Sequence, residues 1–333
     1  MQKCWLAIAA SVSLLFPTSS FAASSDLFKG RTITYIVATS PGGGYDTYGR
    51  LIARFLQKYL TGSRILVRNV PGAGNIIGAN TIYASRPDGL TIGMFNTGLI
   101  YDQLIHRGGV QFDLTKFSWL GKAASEPRVL MISNKSGFKS FDDMLKAKEP
   151  IKFAASGIGA ASYNDTRILA DAVHLNVQIV NGFTGNEGEM SMLRGEVVAE
   201  VGSVDALEQF VAAGHGYWGL ALSGDAKALP GVPRASQYVK DERGKTLLNL
   251  LGALSELGRL TAGPPGIPAN VLGAEREALT AVMNDSEFLA NAKKLNLPID
   301  YLPGDVVEAR MKAALNQAPE TIAALKSVAG AEQ

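Results

Sequence analysis

Short β-rich apolar runs alternate with helix-periodic segments along almost the whole chain, which restricts it to an α/β architecture with mostly parallel sheets. Ile33–Val37, Ile65–Asn69 and Leu90–Phe95 read as strands. Between the first two, Leu51, Ile52, Phe55, Leu56 and Tyr59 recur at helical spacing among Arg50, Arg54 and Lys58. Gly74–Ala84 is a shorter helical segment, closed by the turn Arg86-Pro87-Asp88-Gly89. A second series runs through Val129–Ser133, Ile151–Ala154, Val177–Val180, Val197–Val201 and Trp218–Leu222. Helical patterns around 162–174, 187–194 and 205–213 separate its strands. Beyond Gly263-Pro264-Pro265-Gly266-Ile267-Pro268 the pattern is helical, near 269–283, 286–295 and 304–328.

Each series carries a glycine-rich turn where a strand gives way to a helix. The first is Ser40-Pro41-Gly42-Gly43-Gly44-Tyr45-Asp46, and the second is Ser156-Gly157-Ile158-Gly159-Ala160-Ala161-Ser162. Glycine lets the backbone approach a ligand, and the helix that follows offers unpaired N–H groups at its positive end. N–H groups from Gly43 to Thr47 suit a carboxylate, with Asp46 setting the loop or capping the helix. Ser156 and Ser162 add hydroxyl donors. The second turn is not a dinucleotide fingerprint, because Ser162 stands where the third glycine belongs. No lysine follows the first turn, which excludes a P-loop. Either turn is otherwise a plain structural βα connection.

Three further strand ends are candidates. Asn75 follows Pro71-Gly72 and either caps a helix or reaches the cleft. Asn96 ends a strand, where open α/β sheets place ligands. Phe183-Thr184-Gly185 would offer a ring, a hydroxyl and a close backbone approach. Catalytic constellations are poor: His106, His174 and His215 sit in unrelated segments without metal spacing, and Ser40 and Ser156 lack the glycine of a nucleophile elbow. The expectation is a binding protein, not an enzyme, with no cofactor and no metal.

Lys3, the apolar stretch Trp5–Phe16 and the small residues Ser20-Phe21-Ala22 read as a signal peptide over 1–22, cleaved near Ala22 or Ala23. The apolar stretch is too short to span a membrane, so the expected location is periplasmic. The single cysteine, Cys4, falls inside that segment, leaving a mature chain with no disulfide and no thiol chemistry. About 310 residues remain, enough for two domains. A formal charge of +2 for the whole chain excludes the basic footprint of a nucleic-acid binder.

At these turns the chain resembles the Bug-type extracytoplasmic receptors of tripartite tricarboxylate transporters. Pro41-Gly42-Gly43-Gly44-Tyr45-Asp46 with Arg50-Leu51-Ile52-Ala53 is similar to the family's opening, with one extra spacing residue. The stretch from Val67 to Ala79, containing Arg68-Asn69-Val70-Pro71-Gly72-Ala73-Gly74-Asn75, is the specific part, and Pro87-Asp88-Gly89-Leu90-Thr91 continues it. Ala155-Ser156-Gly157-Ile158-Gly159, Leu229-Pro230-Gly231-Val232-Pro233 and Gly263–Pro268 also fit. Two departures fall in the second half. Ala160 and Tyr163 stand where the family often has Ser and His, and Val180–Gly185 replaces a common Val-Pro-Tyr-Lys-Gly segment.

The resemblance implies a two-lobe periplasmic-binding-protein fold of type II-like form, each lobe a mostly parallel sheet flanked by helices around a ligand cleft. Lobe one would comprise 24–123 plus 249–333, and lobe two 124–248, with hinges near Gly121–Glu126 and within 223–262. Backbone N–H groups of both turns, including Gly157, Gly159, Ala160, Ala161 and Tyr163, would hold carboxylate oxygens. Asn75, Asn96, Ser156, Ser162 and Thr184 would assist. Asp205 would accept from an ammonium or hydroxyl on the ligand, or cap a helix. The implied partners are a small mono- or dicarboxylate, or an aromatic acid beside Tyr45, Tyr163 and Phe183, and integral-membrane transporter subunits, with the receptor a monomer. A receptor for a signalling system and an exported serine hydrolase using Ser40 or Ser156 are the alternatives.

Overall fold

The two series become two sheets in the computed structural model, which describes residues 27–329. The signal-peptide expectation for 1–22 lies outside the described residues. The first series supplies β1 (Thr32–Val37), β2 (Arg64–Asn69), β3 (Thr91–Phe95) and β4 (Ser118–Lys122). The second supplies β5 (Arg128–Ser133), β6 (Ile151–Ala155), β7 (Val177–Asn181), β8 (Ala199–Ser203) and β9 (Gly216–Ala221). Returning chain adds β10 (Leu260–Gly263) and β11 (Leu302–Pro303). One sheet has the order β11-β4-β10-β3-β1-β2 and the other β7-β6-β8-β5-β9.

Most strands in each sheet share one direction, as expected, but both sheets are mixed. β1 pairs in parallel with β2 and β3, and β6 with β7 and β8. β10 runs antiparallel between β3 and β4, and β5 antiparallel between β8 and β9. β5 and β10 are the strands reached by crossing from the other sheet. A chain arriving across the cleft starts at the cleft edge, where the parallel strands end, so it must run against them. The crossing segments support one another: Ala123 N–H donates to Arg259 O (3.1 Å) and Glu126 N–H to Ser255 O (2.8 Å).

Helices cover the sheets. Gly43–Tyr59 lies on the first with Leu51, Ile52, Phe55 and Leu56 buried, each such side chain contributing roughly 1.5–3 kcal/mol. Ala161–Val173 lies on the second with Ile168 and Leu169 fully inside. Four features differ from the sequence expectation. Ser118–Lys122 and Leu260–Gly263 are strands, and Glu242–Ser255 is a helix capped by Asp241, whose carboxylate accepts from Gly244 N–H at 2.7 Å. The helical stretch expected at 304–328 is two helices, Gly304–Leu315 and Pro319–Ala329, because Pro319 cannot donate to a continuing ladder. The last helix packs on Ala161–Val173 of the second lobe, where Arg167 Nε donates to Val328 O (2.9 Å), while Arg107 Nη2 of the first series donates to Ala329 O (3.0 Å). The end of the segment placed in lobe one therefore crosses to lobe two.

Candidate functional site

β1, β6 and β8 all end in the space between the sheets, and each feeds a helix whose first turn faces that space. The helices are Gly43–Tyr59, Ala161–Val173 and Val204–Ala212. Their leading residues Gly43, Gly44, Tyr45, Ala161, Ser162 and Ala206 line a cavity of about 110 Å³, completed by Thr39, Asn75, Asn96, Ser156 and Gly185 among others. First-turn N–H groups have no partner within their own helix, and aligned peptide dipoles make each N-terminus partly positive. Converging N-termini from both lobes suit an anion.

Local sequence explains each turn. Gly42 and Gly43 have φ of 85° and 75°, a region that penalises side chains. Asp46 holds the first turn from inside, accepting from Gly42 N–H (3.0 Å), Arg50 Nε (2.9 Å) and Asn69 Nδ2 (2.9 Å). Burial alone would raise its carboxyl, but these donors hold it below the usual carboxylate range. The second turn closes by Ser156 N–H donating to Ser162 Oγ at 3.1 Å and Asn164 Nδ2 to Gly159 O at 2.8 Å.

The lobes meet through glycines. A methyl group on Gly98 would lie 2.7 Å from Ala161 N, and one on Gly74 would lie 2.5 Å from Ile158 O. One on Gly43 would come within 3.2 Å of Gly185 Cα. Backbone-to-backbone approach across the cleft thus depends on having no Cβ at these positions.

A buried charge network backs the cavity. Arg259 is 1% exposed and adopts φ 45°. Its guanidinium donates to Asp205 (2.6 Å) and Ser203 Oγ (3.2 Å), forms an ion pair with Glu126 (3.0 Å), and lies 4.1 Å from the Tyr45 ring centroid and 4.9 Å from that of Tyr48. Arg128 Nε pairs with Asp165 at 2.6 Å, and its Nη1 lies 3.8 Å from Glu126. Burial would raise Asp205, yet Arg259 and the Ser203 hydroxyl hold it below its ordinary value. Burial dominates at Asp165 and raises it despite Arg128. Both cations that line the cavity are therefore matched by acids, and the site has no spare formal positive charge for an anion. Dipoles must supply the attraction.

Of the residues singled out from sequence, Gly43, Gly44, Tyr45, Asn75, Asn96, Ser156, Ala160, Ala161, Ser162 and Gly185 come together around this cavity. The others serve elsewhere. Asp46 braces its own loop, Gly159 (φ 91°) turns toward Asp102 and Arg107, and Tyr163 is buried off the cavity wall. Phe183 packs on the apolar cluster around Met192 and Phe210. Thr184 is bonded through N–H and Oγ1 to Glu187. Gly157 and Thr184 line an outer cavity of about 440 Å³ with Ser40 and Gly74. Thr47 and Asp205 line another of about 440 Å³ with Glu189, Phe210, His215 and Leu295. His106 and His174 are exposed and lie off all of these walls.

Sequence reasoning missed Arg128, Glu200, Ser203 and Arg259 on the wall, and Glu126 and Asp165 behind it. A signal existed for Arg128, which opens an apolar strand at a cleft edge. Arg259 carried none beyond a lone cation between Gly258 and Leu260.

Residues 49–295 match the family model described as the tripartite tricarboxylate transporter family receptor. A curated relative from Pseudomonas sp. strain P51, the UPF0065 protein in the tcbD-tcbE intergenic region, is 30% identical over 214 residues. The alignment covers 62% of either chain, so this chain spans just under two thirds of that relative's length. The periplasmic binding protein BugD superposes with a TM-score of 0.75 at 21% identity, over 91% of this chain and 99% of BugD. MatC from Rhodopseudomonas palustris, solved with bound malate, superposes with a TM-score of 0.70 at 18% identity, over 89% of this chain and all of MatC. These structures share the two-lobe binding-protein fold.

Proposed function

The chain belongs to the tripartite tricarboxylate transporter family of receptors, and on that premise we propose that it captures a small organic acid between its lobes and delivers it to the transporter's membrane subunits. Periplasmic location, a monomeric state and a purely binding role are part of this reading. The observation that carries it is the convergence of three helix N-termini, one from the first lobe and two from the second, on one cavity of about 110 Å³. Such a volume favours a short acid over the aromatic acids that Tyr45, Tyr163 and Phe183 suggested, since of those three rings Tyr45 alone lines it.

In this reading N–H groups of Gly43, Gly44 and Tyr45 take one end of the ligand. Those of Ala161 and Ser162, with the Ser156 and Ser162 hydroxyls, take the other. Neither lobe alone encloses a carboxylate, so binding and closure are one step. Opening removes half of the donors at once and releases the acid. Because Arg128 and Arg259 are already paired, the ligand meets oriented dipoles instead of bare charge, which keeps capture reversible. MatC's bound malate adds that a protein of this fold holds a short hydroxy diacid.

The test is a thermal-shift and calorimetric titration of the mature chain with malate, succinate, adipate, benzoate and glucose. A binding acid at 100-fold excess over its Kd should stabilise the fold by about 2.7 kcal/mol. A shift with glucose and none with any acid would overturn the reading.

A further inference from the structure

Glu200 is the one acidic side chain on the wall of the small cavity. It projects from β8 where that strand pairs with Met131 of β5 and Ala154 of β6. Its Oε2 is sealed from solvent and accepts no hydrogen bond from the protein. Glu189 of the helix Glu187–Arg194 lies beside it, is 8% exposed, and lines the neighbouring larger cavity. The two acids thus stand at the partition between the cavities, whose shared walls are Gly43, Gly44 and Ala206.

A carboxylate ligand entering this space would meet Glu200 as a like charge. A ligand ammonium would meet the Arg128 and Arg259 guanidinia, which line the same wall. A neutral Glu200 avoids the conflict with a carboxylate, since a protonated carboxyl offers one O–H donor. We propose that Glu200 is a specificity-determining residue that gives the hydrogen of its neutral carboxyl to an acceptor oxygen of the bound acid, with Glu189 as the positioning residue behind it. This rests on the carboxylate reading above and adds which side chain senses the acid and what state it is in.

The surroundings agree. Burial, then the Glu189 charge, pushes the Glu200 carboxyl well above the ordinary range, against the opposing pull of Arg128. Burial raises Glu189 to about 7. The other charged or titratable groups around the site are Arg128 on β5, Asp205 at the start of Val204–Ala212, His215 on the wall of the larger cavity, and Tyr45 with Arg259 across the cleft. Asp205 and Arg259 are paired to one another, so neither neutralises Glu200.

The consequence is a signed pH dependence. Only the protonated receptor is competent, so the apparent Kd rises as that fraction falls, tenfold per pH unit once most receptors have lost the proton. The second carboxyl of a short diacid loses its last protons near pH 6, and both are ionised from about pH 7 upward, so the slope above pH 7 belongs to the protein. Calorimetry at half-unit steps from pH 6 to 9 with succinate and malate should show weakening toward high pH. Glu200→Gln should flatten that profile, Glu200→Ala should bind about tenfold more weakly at pH 6, and Glu189→Gln, which removes a charge that raises Glu200, should move the midpoint downward while keeping the slope. Carbon-13 titration of the glutamate carboxyls in the wild-type chain gives a readout independent of any variant's folding, with Glu200 protonated at pH 7. A flat wild-type profile, a slope that survives Glu200→Gln, affinity that rises with pH, or an ionised Glu200 at pH 7 overturns the inference while the carboxylate reading stands. Failure of both acids and of adipate and benzoate to bind at every pH overturns both.

Discussion

The turn ending in Gly43-Gly44-Tyr45 and the turn Ser156–Ser162 deliver a helix N-terminus to the same cavity from opposite lobes, yet they contribute different atoms. In the first, the polar side chain is turned inward: Asp46 is consumed by Gly42, Arg50 and Asn69, and Thr47 Oγ1 by Gly43 O. What remains for a ligand is backbone and the Tyr45 ring. In the second, Ser156 and Ser162 stand on the cavity wall, and the same lobe adds Glu200, Ser203 and Arg128. A backbone cradle accepts any carboxylate of suitable size, whereas placed hydroxyls and acids discriminate between ligands. On the proposed reading, selectivity belongs to the second lobe and general anion affinity to the first.

The hardest blow to both at once is Arg259→Ala. It leaves Glu126 and Asp205 buried without their cation and removes the support under Tyr45 and Tyr48, at a cost of about 3–5 kcal/mol. Denaturant unfolding measures this, and a loss below about 1 kcal/mol would show that the two lobes do not share this anchor. Next comes the contact between the turns. Gly98→Ala should hold the lobes apart and weaken acid binding at least tenfold, about 1.4 kcal/mol. Small-angle scattering should give the variant a larger radius with acid present than the wild type, and an unchanged affinity would separate closure from binding.

Ser162→Ala then tests the asymmetry directly. Losing a hydrogen bond to a charged ligand costs about 1.5–3 kcal/mol, so calorimetry should show roughly a tenfold or greater loss and an altered ranking of acids. Asp46→Asn should lower the melting temperature while leaving that ranking in place. A ranking changed by Asp46→Asn and untouched by Ser162→Ala would reverse the assignment. The smallest effect is acid sensitivity from the same aspartate. Its folded carboxyl lies below its unfolded value, so it stabilises the fold above the unfolded pKa, and that contribution fades as pH falls through the folded one. Melting curves from pH 5 to 3 should show a shallower decline in Asp46→Asn than in the wild type.

Glu189 carries the opposite sign. Its folded carboxyl is raised to about 7, so the native state keeps a proton that the unfolded chain releases near pH 4.3, and stability falls between those values. Glu189→Gln should remove that decline.

How much of this was legible in the sequence follows from the range of each interaction. β1, β3 and β6 were readable because their apolar runs are local, and both glycine turns because glycine followed by helix periodicity is local too. β4 was missed because Gly121 and Lys122 interrupt its apolar run. Lys122 is nonetheless 1% exposed, its ammonium held by Asp300 at 2.7 Å, a partner far along the chain. The same holds for Glu126, Arg128, Asp205 and Arg259, which only the assembled fold brings together. Tyr163 illustrates a different limit. It follows Ser162 by one residue, and a helical step of about 100° carries its side chain off the cavity wall into the core.

The most direct measurement is a crystal structure of the mature protein with malate or succinate bound. The account predicts carboxylate oxygens within about 3 Å of N–H groups at Gly43 or Gly44 in one lobe and at Ala161 or Ser162 in the other. An acid seated in the larger cavity beside Phe210 and Leu295, or touching one turn only, would contradict it.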